Sequence, residues 1–92
     1  MCRNITILRG LEPPATSDEI AAAATQFVRK VTGVAKPNET TAKLMRAAEL
    51  EIAEVVARLL AELPPRRQEP TTVPPLRRPQ VRARMGLEPF QG

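Results

Sequence analysis

Residues 16–33 of the chain read TSDEIAAAATQFVRKVTG, and this stretch carries the start, the body and the end of one amphipathic helix. Thr16 and Glu19 have the spacing of a capping box, in which each side chain accepts a hydrogen bond from the other residue's backbone. Acidic side chains in the first turn and basic ones in the last match the helix dipole. Gly33 suits the left-handed conformation that commonly ends helices. The stretch therefore predicts a helix over residues 16–32.

The apolar side chains of this predicted helix repeat at helical spacing and share one face. They are Ile20, Ala23, Ala24, Phe27 and Val31. Because a large apolar residue on the inner face of a helix is normally buried, we expect Phe27 to belong to the core and not to a ligand site.

A second amphipathic helix is predicted over residues 39–63, with Asn38 as its N-cap and Pro64-Pro65 ending it. One stripe of this helix is apolar and comprises Met45, Ala48, Ile52, Val55, Val56, Leu59 and Leu63. Because only the six residues GVAKPN join the two helices, the sequence predicts an all-α fold built on an antiparallel two-helix hairpin.

The apolar face of the second helix is wide, roughly 160° once Leu44 and Leu60 are included, and one partner helix does not cover it. Two coverings are consistent with the sequence. The N-terminal segment, residues 1–15, is apolar at Ile5, Ile7, Leu8 and Leu11 and could pack across the hairpin. A second copy of the hairpin could instead complete a four-helix arrangement, which predicts a homodimer.

Charge and proline divide the chain at Leu63/Pro64. Residues 1–63 hold eight basic and eight acidic side chains, whereas residues 64–92 hold six arginines, two glutamates and seven of the ten prolines. We therefore expect a small helical domain over residues 1–63 and a flexible, mostly disordered Pro/Arg-rich tail over residues 64–92. A short helix over residues 79–85, ended by Gly86, is an alternative for part of the tail.

The composition excludes several kinds of chemistry. The chain has no His, Trp or Tyr and a single Cys, so it lacks the usual general base, an internal disulfide and the ligands of a structural zinc site. We predict no metal and no cofactor, and a reduced, cytoplasmic setting. No apolar run approaches the roughly 20 residues that a membrane-spanning helix needs.

Cys2 allows two interpretations. Removal of Met1 would leave an N-terminal cysteine whose α-amine, with a pKa near 8, could activate its own thiol, and Arg3 would favour the thiolate. Alternatively, Cys2 is a small apolar residue packed with Ile5 and Leu8. The packing interpretation is favoured because no other side chain is an obvious catalytic partner.

The basic tail also allows two interpretations. Its arginines could contact nucleic-acid phosphates or an acidic protein surface, although no Tyr or Trp is present for base stacking. Alternatively, they are solvated charges on a disordered tail. The candidate binding residues are Arg66, Arg67, Arg77, Arg78, Arg82 and Arg84.

Several short stretches, in this order, resemble a family of small bacterial proteins of unknown function. They are MCRNI at 1–5, EPPAT at 12–16, EI at 19–20, QFVRK at 26–30 and KP at 36–37. The similarity covers residues 1–63, whereas the Ala/Glu-rich second helix and the Pro/Arg tail depart from the family pattern. The resemblance implies a compact helical domain in a bacterial cell and implies no activity.

These observations favour a small, non-enzymatic interaction or assembly module. A nucleic-acid-associated accessory protein acting through the tail is the first alternative. A thiol enzyme or redox protein using Cys2 is the second.

Overall fold

A computed structural model of the chain describes residues 4–66, 70 and 72–90. Within these residues the protein is helical, and no strand is present. The elements in order are α1 (Ser17–Thr32), α2 (Glu39–Glu62), a 3₁₀ helix (Pro75–Arg77) and α3 (Pro79–Arg84). The all-α class is confirmed, and the two long helices pack against each other.

The ends of α1 are made by the contacts that its sequence predicts. The backbone N–H of Glu19 donates to Thr16 Oγ1 at 3.1 Å, and the backbone N–H of Thr16 donates to Glu19 Oε1 at 2.8 Å. Gly33 has φ 71° and donates its N–H to the carbonyl oxygen of Arg29 at 2.9 Å. A side chain at Gly33 would strain the backbone there, so glycine suits this end of the helix.

The ends of α2 follow equally local rules. Asn38 Oδ1 accepts a hydrogen bond from the backbone N–H of Thr41 at 2.8 Å, which satisfies one of the free donors at the helix start. Leu63 donates the last helical hydrogen bond, to Leu59 at 3.0 Å. Pro64 and Pro65 follow at once, and neither can donate a backbone hydrogen bond.

The core is small and lies where the segment before α1 meets both long helices. Leu8, Leu11 and Ile20 form its buried cluster, and Ala24, Val28 and Met45 are the other buried apolar residues. Four half-buried side chains pack against the cluster, namely Ala15, Ala53, Val56 and Leu60. The line Ile20–Ala24–Val28 therefore faces the core from α1.

The prediction that Phe27 belongs to the core is wrong. Phe27 is 47% exposed and Val31 is 65% exposed, because the buried line of α1 is rotated toward Val28. On α2, Val55, Leu59 and Leu63 of the predicted stripe are exposed while Met45 is buried, in keeping with a face too wide for one partner helix to cover.

The prediction of a disordered tail is not confirmed. In the described part of residues 64–92, the chain forms the 3₁₀ helix and α3, and both Pro74 and Pro75 are buried. Pro79 occupies the first turn of α3, where its missing N–H costs nothing, and Gly86 follows the helix at φ 73°. The alternative of a short helix over residues 79–85 is close to this outcome. No helix among the described residues combines the length and apolarity needed to cross a bilayer.

Candidate functional site

Arg77 and Glu19 form a buried ion pair that joins the C-terminal part of the chain to the start of α1. Arg77 Nε donates to Glu19 Oε2 at 2.6 Å, and Arg77 Nη2 donates to Glu19 Oε1 at 3.1 Å. Nη2 also donates to the carbonyl oxygens of Pro13 at 2.6 Å and Pro14 at 3.1 Å. One guanidinium thus meets four acceptor atoms that all come from residues 13–19.

The pair is almost completely removed from water. Only 1% of the Glu19 side chain and 6% of the Arg77 side chain are exposed. Burial by itself raises the pKa of Glu19. The Arg77 guanidinium and the hydrogen bonds from Thr16 outweigh that effect, so the pKa of Glu19 lies below its usual value of 4.5. Glu19 is therefore an ionised, fully paired carboxylate inside the molecule.

The ring of Phe90 lies against the guanidinium groups of Arg77 and Arg82. The Cζ atom of Arg77 lies 4.6 Å from the ring centroid, and that of Arg82 lies 5.8 Å from it, both within cation–π range. Arg82 also donates to the carbonyl oxygens of Leu76, at 2.8 Å, and Glu88. Residues 74–90, called here the C-terminal strap, are thus tied together around Arg77.

A set of large apolar side chains on α1 and α2 lies open to solvent. We call it the apolar face, and its members are Phe27, Val31, Leu44, Val55 and Leu59. Leu44 is 70% exposed, and the others are between 47% and 65% exposed. Residues 44, 48, 55 and 59 fall on one stripe of α2, because they are separated by whole helical turns.

An apolar cleft of about 980 Å³ lies beside the core. Leu11 and Ile20 line one wall, and α2 presents small side chains at Ala53, Ala57 and Ala61. Arg9 and Pro64 also line the cleft, and the Nε and Nη2 of Arg9 both donate to the carbonyl oxygen of Pro64, at 2.9 and 2.6 Å. The alanine positions leave the open space that larger side chains would fill.

The structure places the predicted tail arginines in different surroundings. The side-chain carbons of Arg66 pack against Gly10, where a Cβ atom would come within 2.9 Å of Arg66 Cβ. Arg78 Nε donates to the carbonyl oxygen of Val73 at 3.2 Å, and Arg84 is exposed. Because Arg77 and Arg82 make contacts within the molecule, the tail arginines do not form one free basic surface. The predicted binding of nucleic acid or an acidic partner stays a prediction.

Cys2, Arg3 and Arg67 lie outside the described residues, so the interpretations of Cys2 stay predictions. Among the residues that are described, no three Cys, Asp or Glu side chains come together as a metal ion would require.

The ion pair of Glu19 and Arg77 is the feature that sequence reasoning missed. Its partners are separated by 58 positions, and Glu19 already had a complete local role in the capping box. The one signal in the sequence was the pattern that allowed a short helix over residues 79–85, where α3 is found. A folded end to the tail needs an attachment to the domain, and a buried arginine with a carboxylate partner supplies one.

Comparison with known proteins gives a family and no function. A family model described as "Uncharacterized conserved protein (DUF2277)" matches residues 1–84. The chain belongs to this family. No curated protein and no solved structure matches the chain. The resemblance to a family of unknown function is thereby confirmed, whereas the bacterial and cytoplasmic setting stays a prediction.

The DUF2277 match also bears on the C-terminal strap. It runs past the boundary at Leu63/Pro64 and ends at Arg84, the last residue of α3. The residues that contain the ion pair thus belong to the region that the family model matches.

Proposed function

We propose that this DUF2277 protein is a small, non-enzymatic assembly module that forms a homodimer through the apolar face of a helical hairpin. The observation that carries the proposal is the exposure of all five apolar-face side chains, which the described segments of the chain leave uncovered. A contiguous exposed apolar patch of this kind marks an interaction surface on a small folded domain.

The first step is that α1 and α2 run antiparallel. Thr25, in the second half of α1, donates its hydroxyl to Glu49, in the first half of α2, at 2.8 Å. Ile20, near the start of α1, belongs to the cluster against which Val56 and Leu60, near the end of α2, pack. Opposite ends of the two helices are therefore neighbours, as a hairpin with a short connection requires.

The second step is that the apolar face is one surface. Phe27 precedes the buried Val28 by one position, and Leu44 precedes the buried Met45 in the same way. When two helices run antiparallel, the residue just before a buried position on one helix and the residue just before a buried position on the other lie on the same side of the pair. The exposed residues of α1 therefore adjoin those of α2.

The third step is that the face has the size of an interface. Given their exposed fractions, the five side chains present on the order of 500 Å² of apolar surface. A standard interface buries about 800 Å² on each partner, of which a little over half is apolar. The apolar face matches that share.

The fourth step is that a second copy fits best. Two α2 helices crossing antiparallel with their stripes in contact would set Leu44 opposite Leu59, and Ala48 opposite Val55. Large side chains would then meet small ones across part of the interface, which favours close packing. Residues 1–63, which carry the apolar face, are neutral overall, so the net charge of this part of the chain does not oppose the approach of an identical surface. A neutral apolar face is also unsuited to nucleic acid.

The test is the oligomeric state of the full chain, measured by sedimentation equilibrium and native mass spectrometry. The wild type should be a dimer, and Leu44→Glu and Val55→Glu should weaken association at least about 30-fold, equivalent to about 2 kcal/mol. Both sites are already half or more exposed, so the helical circular dichroism of each variant should remain unchanged.

Leu50→Glu is the matched control, because Leu50 is 53% exposed on the opposite side of α2, where it lines the cleft. That variant should still dimerise. A wild-type chain that stays monomeric at high concentration, or an equal loss of association in the control, would refute the proposal.

The two alternatives have less support. Binding of nucleic acid through the tail would have to rely mainly on Arg66 and Arg84 among the described tail arginines, since Arg77, Arg78 and Arg82 donate hydrogen bonds within the molecule. Chemistry at Cys2 is read from the same native mass spectrum, which reports whether Met1 is retained and whether the thiol carries an adduct. An intact Met1 with an unmodified thiol would end the thiol alternative.

A further inference from the structure

The acceptors around Arg77 all belong to one short segment at the start of α1. Glu19 is held by the capping box, through its contact with the backbone N–H of Thr16 at 2.8 Å. The carbonyl oxygens of Pro13 and Pro14 come from the segment immediately before that cap, where proline restricts the backbone. All the acceptors therefore lie in residues 13–19, and none belongs to the C-terminal strap.

The C-terminal strap, in contrast, contributes one side chain to this site, and its Pro74 and Pro75 are buried nearby in the chain. α3 packs against the 3₁₀ helix and makes no comparable packing on α1 or α2. The described hydrogen bonds between the strap and residues 13–19 all come from the Arg77 guanidinium. Arg77 thus resembles a ligand tethered to its receptor.

The geometry of the acceptors selects a guanidinium group. The two carboxylate oxygens receive Nε and Nη2 side by side, which is the bidentate arrangement that an ammonium group cannot reproduce. The carbonyl oxygens of Pro13 and Pro14 accept further hydrogen bonds from Nη2. The site is almost fully dehydrated, so an unpaired Glu19 carboxylate would be strongly disfavoured there.

We propose that Glu19, with the carbonyl groups of Pro13 and Pro14, is a guanidinium-binding site that the chain fills with its own Arg77. When the C-terminal strap is released, the same site takes an arginine side chain from another polypeptide, either a second copy of this chain or a different protein. The tether gives Arg77 an effective concentration in the millimolar range, so the strap acts as an intramolecular competitor. This inference does not rest on the dimer proposed above, which uses other residues.

The first experiment vacates the site in the full chain with Arg77→Ala and adds n-propylguanidinium chloride as the probe. At about twice the dissociation constant of the probe, the Tm of this variant should rise by about 3 °C, while the wild type, whose site is filled, should not respond. If Arg77→Ala is unfolded without the probe, the probe should restore its helical circular dichroism.

Two controls make this result specific. n-Propylammonium chloride carries the same charge without the planar fork, and it should have no effect. The double variant Arg77→Ala with Glu19→Gln lacks the carboxylate, and it should not respond to n-propylguanidinium. If the single variant does not respond, or if the double variant responds equally, the guanidinium site is refuted.

A second experiment distinguishes the sources of the arginine. A labelled peptide with the sequence of residues 72–84 should bind the Arg77→Ala chain, and the same peptide with Ala in place of Arg77 should bind at least about tenfold more weakly. A scrambled peptide of the same composition tests the source. If it binds as weakly as the Ala-substituted peptide, the site selects Arg77 within the strap sequence, which a second copy of the chain supplies, whereas intermediate binding shows that the site also accepts arginines placed in other sequences. Equal binding of the Ala-substituted peptide would contradict the proposal.

Discussion

Glu19 accepts hydrogen bonds from two directions, and this double role explains its position. Its Oε1 atom closes the capping box with Thr16, and both carboxylate oxygens bind Arg77. Ionisation of Glu19 therefore supports the start of α1 and the attachment of the C-terminal strap at once. Loss of this one charge should weaken both the start of α1 and the attachment of the C-terminal strap.

This role predicts how stability depends on pH. The pKa of Glu19 is lowered in the folded protein, so the unfolded chain binds the proton more tightly. The contribution of Glu19 to the free energy of unfolding is therefore complete above pH 4.5. It is then lost as the pH falls through the folded pKa. At neutral pH, Glu19→Gln should lower the free energy of unfolding by about 3 kcal/mol, because it leaves a buried guanidinium without its charge partner.

Urea denaturation across the acid range measures this effect. The difference between wild type and Glu19→Gln should narrow as the pH falls below 4.5. Glu49→Gln is the control, because Glu49 accepts a hydrogen bond from Thr25 and lies 3.9 Å from Arg46, and neither of these partners belongs to the C-terminal strap. It should cost less than about 1 kcal/mol, since a glutamine oxygen can still accept that bond. A pH-independent difference for Glu19→Gln would show that its charge is unimportant.

At the scale of elements, α1 and α2 have unequal support. α1 buries Glu19, Ile20, Ala24 and Val28, whereas the longer α2 buries Met45 alone among its residues. The stability of α2 thus depends on its half-buried contacts, on the helix propensity of its residues and on the hydrogen bonds at its two ends. Its N-cap should accordingly matter for the stability of the helix pair.

Asn38→Ala tests this dependence. The substitution removes the acceptor for the backbone N–H of Thr41 and should lower the free energy of unfolding by about 1 kcal/mol. Asn38→Asp keeps a side-chain oxygen at the same position and should stay within a few tenths of a kcal/mol of wild type. Urea denaturation of the three chains measures both effects, and equal stability of Asn38→Ala and wild type would contradict the role assigned to this cap.

At the scale of the whole molecule, the core is small for a free-standing domain. None of the described large side chains is less than 2% exposed, and half of the large apolar residues on α2 are open to solvent. A chain of this size buries too little surface to be stable by a wide margin on its own. The proposed dimer would add the missing burial.

The prediction at this scale is that thermal stability depends on protein concentration. If folding and dimerisation are coupled, the Tm of the wild type should rise by about 3 °C for each tenfold increase in concentration. Leu44→Glu, which removes part of the apolar face, should melt at a lower temperature and with less dependence on concentration. Calorimetry over two decades of concentration measures both, and a wild-type Tm that does not change would argue against coupled assembly.

Local patterns in the sequence were enough to predict the two long helices and their ends. The capping box, the N-cap Asn38, the terminal Gly33 and the Pro64-Pro65 stop each act within about four residues, so their effect can be read without the fold. Periodicity also placed an apolar stripe on each helix. It could not decide the rotation of that stripe, because a shift by one residue leaves the pattern almost unchanged.

The sequence by itself thus determined the all-α class, the helix ends and the absence of histidine chemistry. Only the tertiary structure decided that Val28 faces the core while Phe27 faces solvent, and that Arg77 binds Glu19 across 58 positions. The physical reason is that caps and turns depend on neighbours in the chain. Burial and ion pairing depend on which distant segments meet, and many alternative pairings are equally compatible with the same charges and apolar residues.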